Sequence, residues 1–206
     1  MATTANTRVS VAQGGWRTID IVTAAMIGVV FGVAYWGWSS AYNALVTPLS
    51  SLLGPMQGLL GGPWLIAGVV SGLVVRRPGA ALFAELLAAV VEATLVTEWG
   101  WATVISGALQ GFGVELVLAV FLYRRFGWPV AALGGAMAAF AEWCYEWHAY
   151  WVGYSVGWKV AYLGFFVLSG AVVAGIGGWF LTRALAATGA IDALPAGQEA
   201  ARDQVT

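Results

Sequence analysis

The chain of 206 residues is 60% hydrophobic and only 9% charged, with a formal net charge of −1 and a mean hydropathy of +0.80. That balance excludes an ordinary soluble domain and makes the bilayer the solvent of the chain. It also excludes a broad basic surface, and with no nucleic-acid-binding module present, nucleic acid is not an expected partner.

Residues 1–17 are polar and small, lack the basic region, apolar core and cleavage site of a signal peptide, and read as a disordered cytoplasmic tail. At roughly 20 residues per crossing, apolar runs bounded by charge, Gly or Pro predict six spans, near 19–41, 58–75, 79–97, 101–123, 129–150 and 159–187. The expected fold is all-α, an integral membrane bundle of six transmembrane helices over residues 18–187. The second span is short and opens with Gly61, Gly62 and Pro63, so an irregular or re-entrant start is expected there. Residues 188–206, rich in Ala, Gly, Asp, Glu and Gln, read as a second disordered cytoplasmic tail.

Basic residues set the orientation, because Lys and Arg of short loops stay on the cytoplasmic side. Arg8 and Arg17 precede the first span, Arg76 and Arg77 join the second to the third, Arg124 and Arg125 join the fourth to the fifth, and Arg183 lies near the end of the sixth. The alternate junctions carry no basic residue, only Glu98, and only Lys159, which places both termini in the cytoplasm. The outward ends are aromatic, with Tyr35, Trp36, Trp38 and Tyr42 on the first span, Trp99 and Trp101 after the third, and Trp143 through Trp151 on the fifth. Two readings fit these rings: an interfacial belt, or the walls of a pocket for a planar or cationic ligand.

A charge deep in the bilayer is costly, so ionisable residues inside spans are functional candidates. There are five, Glu85, Glu92, Glu115, Glu142 and Glu146, with no Lys or Arg inside the spans to offset them. The direction of each span puts Glu85 and Glu115 in the inner half, Gln110 near the middle, and Glu92 in the outer half with Glu142 and Glu146, an i, i+4 pair on one face. Glu92, Glu142, Glu146 and Gln110, with Trp36, Trp38, Tyr42, Trp143, Trp147 and His148 around them, describe an outward-opening site for a cationic or amine-bearing aromatic substrate. Protonated glutamates that only bond helices together are the alternative, and this reading is favoured for Glu85 and Glu115. His148 without a second His or a Cys at ligand spacing predicts no metal, and no cofactor motif is present. Cys144 has no partner for an internal disulfide, and no nucleophile arrangement supports an enzyme.

Ala24, Gly28 and Gly32, and again Gly170, Ala174 and Gly178, recur at four-residue spacing and let helices approach closely, either within the bundle or against another membrane subunit. No Gly-x-x-x-x-Gly-Lys-[Ser/Thr] loop occurs, so energy for uptake would come from a partner or an ion gradient.

The stretches FGVAYWGWSSAYN (31–43), RRPGAALFAELLAAVVE (76–92), GALQGFGVELVLAVFLYRR (107–125) and the final LAATGAIDAL (185–194) resemble the substrate-specific S components of energy-coupling factor (ECF) transporters, in particular the YkoE family associated with thiamine or its hydroxymethylpyrimidine precursor. The resemblance implies a prokaryotic plasma-membrane subunit that binds a vitamin from outside and works with a transmembrane coupling (T) protein and ATPase subunits of an ABC importer, toppling in the membrane to release its cargo. It further implies that Ala24, Gly28 and Gly32 meet the coupling protein. An autonomous proton- or cation-coupled carrier using the same glutamates is the competing reading, although no inverted repeat relates the two halves.

Overall fold

The computed structural model describes residues 15–203. Its first helix, α1 (Thr18–Leu45), runs for 28 residues, about 42 Å at 1.5 Å per residue. Asp20 closes its N-terminus, accepting from the Arg17 backbone N–H at 2.9 Å and from the Arg17 guanidinium at 2.7 Å. The acid also answers the positive end of the helix dipole. One face only is buried, the four-residue series Ala24, Gly28 and Gly32 followed by Tyr35 and Ser39. The other face leaves Val22, Met26, Val29, Val30 and Val33 exposed, as a lipid-facing surface requires.

The chain then breaks into short turns: α2 (Ser50–Leu53) is followed by 3₁₀ segments at Gly54–Leu60 and Gly62–Leu65 before α3 (Ile66–Val75) begins. Pro48, Pro55 and Pro63 each withhold an N–H here, and the backbone groups freed by the break need other partners. Ser169 supplies two of them, donating to the Leu59 carbonyl at 2.6 Å and accepting from Gly62 N–H at 3.1 Å. The Tyr35 hydroxyl accepts from Ala67 N–H at 2.8 Å in the first turn of α3. The expected irregular start of the second span is thus present and extends further toward α1 than Gly61. From Ala67 to Val75 every residue of α3 is buried, which makes it the central helix.

A tight turn through Arg76 (φ 55°) and Gly79 (φ 89°) leads to α4 (Ala80–Thr94). The remaining helices are α5 (Ala102–Val120), α6 (Trp128–Ala149), α7 (Val156–Ser169) and α8 (Gly177–Ala187), the last two joined through a π-helical stretch at Gly170–Ile176. Glycines set the crossings: a Cβ on Gly113 would lie 2.7 Å from Ala138 Cα, and one on Gly175 2.5 Å from Ala132 Cα. The π-helical turns lie where Gly170 and Gly175 meet α6, a local widening of the kind that often neighbours functional sites. Four stretches, Thr18–Leu45, Thr47–Val75, Ala102–Val120 and Val156–Ala187, are long and apolar enough to cross a membrane. α4, with 15 residues, falls short of that length, and α6 carries Glu142 and Glu146 among its 22 residues.

One expectation is corrected. The segment after Thr188 is not disordered over its described part: α9 (Pro195–Asp203) follows a turn in which Ile191 and Leu194 are buried, and these with Ala196 pack against Val70, Val74 and Val75. Polar composition concealed three apolar side chains at the right spacing. Of the expected N-terminal tail, residues 1–14 lie outside the described residues, while Trp16 packs edge-on against Phe83 and donates to the Pro78 carbonyl at 3.0 Å. Ala24, Gly28 and Gly32 face α4 within the bundle. Ala24 is fully buried, and a Cβ at Gly32 would lie 2.7 Å from the Ala88 carbonyl and 2.6 Å from Val91 Cβ.

The basic junctions gather at one end of the bundle. Arg17 and Arg77 both hold Asp20, Arg76 pairs with Glu199 on α9, and Arg76 and Arg183 share a cavity with Phe126 of the α5–α6 turn. Gly32→Leu is therefore expected to lower stability by about 1–3 kcal/mol through overpacking against α4, read as a lower unfolding temperature in detergent. A variant of unchanged stability would show that the stripe is not an internal contact.

Candidate functional site

At the end remote from the arginines, α1, the broken segment, α4, α5, α6 and α7 surround a cavity of about 800 Å³, counted with its open mouth. Small-molecule pockets span roughly 300–1,000 Å³. Three carboxylates line it, Glu92 from α4 and Glu142 and Glu146 from α6, together with Gln110 from α5, and no Lys or Arg is among the lining residues.

Two of the three acids are held by neighbours. Glu92 Oε1 accepts from Ser39 Oγ at 2.5 Å and from Trp64 Nε1 at 3.2 Å, so α1 and the broken segment both aim it. Glu146 accepts from the Tyr162 hydroxyl on Oε1 and from Trp151 Nε1 on Oε2, each at 3.4 Å. Glu142 is 3% exposed and its Oε2 has no hydrogen-bond partner. Among the described residues Asn43, Glu85 and Thr97 also carry an unpartnered buried oxygen, but only Glu142 of this set lines the cavity. Leaving such a group unsatisfied costs about 1–3 kcal/mol, more for a charge, so Glu142 Oε2 is the lining oxygen with most to gain from a donor.

The walls are aromatic. Trp158 stacks on Tyr162 with an interplanar angle of 10°, Trp151 lies 5.1 Å from Tyr162, and Phe166 continues the face one turn deeper. Trp64 meets Tyr42 edge-on at 5.3 Å, and Trp99 meets Tyr150 at 5.6 Å. Gln57 fixes the loop near Tyr42: its amide donates to the Ser50 and Gly54 carbonyls at 3.1 and 3.0 Å, and its Oε1 accepts from the Tyr42 hydroxyl at 3.4 Å. Gly61 presses against the Phe166 ring, where any side chain would collide. The arrangement offers negative charge between π faces, which suits a planar cation.

Of the side chains expected from sequence, Glu92, Glu142, Glu146, Gln110 and Tyr42 come together in this cavity. Five do not. Trp36 is 41% exposed on the outward side of α1, and Trp38 stands behind Trp64, donating to the Leu60 carbonyl at 3.1 Å. Trp143 donates to the Lys159 carbonyl at 3.0 Å, Trp147 carries the Lys159 ammonium 4.4 Å above its ring, and His148 is exposed. The reason is helical geometry: Glu142 and Glu146 share a face, while their sequence neighbours point about 100° away per residue. Tyr35, Trp99, Tyr150 and Trp151, read from sequence as belt or pocket-wall rings, also line the cavity, whereas the sequence reasoning missed Gln57, Trp64, Tyr162 and Phe166. The i, i+4 pair Tyr162 and Phe166 and the Gly/Pro-interrupted segment around Trp64 were available signals, since such interrupted segments point to binding sites in transporters.

The two remaining acids brace the bundle. Glu85 Oε2 accepts from Gly68 N–H at 2.5 Å, joining α4 to α3. Glu115 Oε1 accepts from the N–H groups of Ala81 and Leu82 at 2.8 and 3.4 Å, capping α4 from α5, and its Oε2 accepts from the Tyr123 hydroxyl at 2.5 Å.

A solved structure described as an S-component of an ECF transporter superposes with a TM-score of 0.84 at 29% identity, over 92% of this chain and 95% of that one. A relative from Bacillus subtilis (strain 168), YkoE, whose designation as an HMP/thiamine permease protein is itself provisional, is 31% identical over 186 residues, 89% of this chain and 92% of its own. The chain belongs to the YkoE family of S components. The S component is thus a multi-pass membrane transport protein. Residues 19–141 also match the family described as the permease component of an ABC-type cobalt transport system. Among the described residues of this S component no three His, Cys, Asp or Glu side chains come together as a group able to hold a metal ion.

Glu115→Ala should lower stability by about 1–3 kcal/mol, through two uncapped N–H groups and an unpartnered Tyr123, while ligand binding in the cavity stays intact. Unfolding temperature and a binding titration on the same variant separate the two effects, and loss of binding without loss of stability would contradict the bracing role.

Proposed function

We propose that this S component captures thiamine, or a closely related cation bearing an aminopyrimidine ring, for uptake into a prokaryotic cell. The observation that carries the reading is Glu142 Oε2, buried and unpartnered in a cavity with three carboxylates, aromatic walls and no basic lining residue. Thiamine combines a permanent thiazolium charge with a planar amine-bearing ring, the two features this cavity leaves unanswered. Glu142 takes the charge or the amine, Glu92 and Glu146 stand ready on either side, and Tyr162, Trp151 and Trp64 stack on the rings. The relative's designation as an HMP/thiamine permease protein supports the same ligand class.

The chain crosses the plasma membrane six times, with the arginine-bearing end in the cytoplasm and the cavity open to the outside. α4 and α6 complete the crossings alongside the four longer stretches, of which the broken second span is one. A transmembrane coupling protein and ATPase subunits supply the energy, a reading supported by the likeness to an ECF S component. No covalent step is needed, and the contact with the coupling protein lies elsewhere than on Ala24, Gly28 and Gly32, which α4 covers.

Quenching of tryptophan fluorescence in the detergent-purified chain tests this directly. Saturable quenching by thiamine, absent with riboflavin and biotin, is expected, and Glu142→Gln should weaken it by more than about tenfold, the lower bound for removing one partner of a buried charge pair. Glu92→Gln should act in the same direction, whereas Glu85→Gln should leave affinity unchanged. Equal losses at all three positions, or no quenching by thiamine, would contradict the assignment.

A further inference from the structure

The arginine-bearing end holds a second cavity that shares no lining residue with the first. It lies between the end of α3, the turn before α6, α8 and α9, and with its open mouth encloses about 550 Å³. Arg76, Arg183, Thr182, Trp179 and Phe126 line it, and Glu199 is the only carboxylate among its lining residues. Two guanidinium groups against one carboxylate leave a formal charge of +1.

The two arginines are held differently. Arg76 lies over the Phe126 ring at 4.5 Å and pairs with Glu199. Arg183 lies over the Trp179 ring at 5.3 Å and has no carboxylate partner among the described residues. Arg124 and Arg125, immediately before Phe126, are exposed and likewise lack one. An arginine fixed on an aromatic face keeps its planar fork free for an anion, and a guanidinium matches phosphate oxygens two at a time. The cavity also adjoins apolar surface: Trp128 follows Gly127 and Phe180 follows Trp179 in sequence, and they are 54% and 62% exposed. Basic pockets between spans on the cytoplasmic side are where anionic headgroups dock.

We propose that this cavity is a phosphate-binding site, in which Arg183 and Arg76 hold the phosphate of a membrane-lipid headgroup or of the soluble ion. Glu199 competes with that phosphate for Arg76, so α9 and the ligand contend for one guanidinium. The site is independent of the captured vitamin.

Native mass spectrometry of the full chain in neutral detergent tests the proposal, with short-chain phosphatidylglycerol as probe and a phosphate-free glycolipid of equal chain length as control. Phosphatidylglycerol adducts should exceed those of the glycolipid. Arg183→Gln should lower their affinity about fivefold, the factor for one basic group at a membrane surface. Glu199→Gln should raise it, a change of opposite sign that partial unfolding would not produce. Adducts that survive added inorganic phosphate identify the lipid as the source, and adducts stripped by it identify the soluble ion. Equal binding of both lipids, or affinity unchanged in Arg183→Gln, would overturn the proposal.

Discussion

One constraint governs the deep polar groups of this fold: inside hydrocarbon no water is at hand, so a backbone or carboxyl group left without a partner in the protein or a ligand is costly. The constraint explains why a chain so poor in charge places its few polar side chains so deep. Ser169 serves two backbone groups of the broken second span, Tyr35 one at the start of α3, Glu115 two at the start of α4, and Asp20 joins α1 to the turn before α4. Ser169 and Tyr35 let the second span break into short turns between Leu49 and Leu65 while answering backbone groups in and just after the break.

That break produces the site. A continuous helix would show the interior one stripe of side chains, whereas the 3₁₀ turns bring Gln57, Gly61 and Trp64 to the same cavity wall. Gly61 admits the Phe166 ring, and Trp64 reaches Glu92 with its indole N–H at 3.2 Å. On the facing side α6 offers two carboxylates one turn apart, and α7 offers Tyr162 and Phe166 at the same spacing. Rigid packing thus holds three acids near one another, and the acid with an unpartnered oxygen, Glu142, is the one positioned to gain from a cationic ligand.

The sequence carried the all-α membrane bundle and the acidic character of the site, because apolar runs and buried charges are visible without knowing any contact. Helix direction and period joined Glu92, Glu142, Glu146 and Gln110, which line one cavity. The same reasoning failed for Trp143, Trp147 and His148, where nearness in sequence was substituted for sharing a helix face. It also failed for Trp64 and Gln57, whose placement depends on an irregular backbone that no period describes. The stripe at Ala24, Gly28 and Gly32 was legible as a close-packing face, but nothing in one sequence says which helix meets it; α4 does. The C-terminal helix was hidden by polar composition, since Ile191, Leu194 and Ala196 are few although all are buried.

Glu142 makes the charged ring the feature to be recognised, and thiamine carries the thiazolium ring that its uncharged hydroxymethylpyrimidine precursor lacks. Calorimetric titration of the purified chain with each compound under identical conditions is the most direct measurement. The account predicts that thiamine binds at least about tenfold more tightly, as one charge-assisted contact warrants. Equal affinities, or preference for the neutral precursor, would contradict a cavity built around an unpartnered carboxylate oxygen.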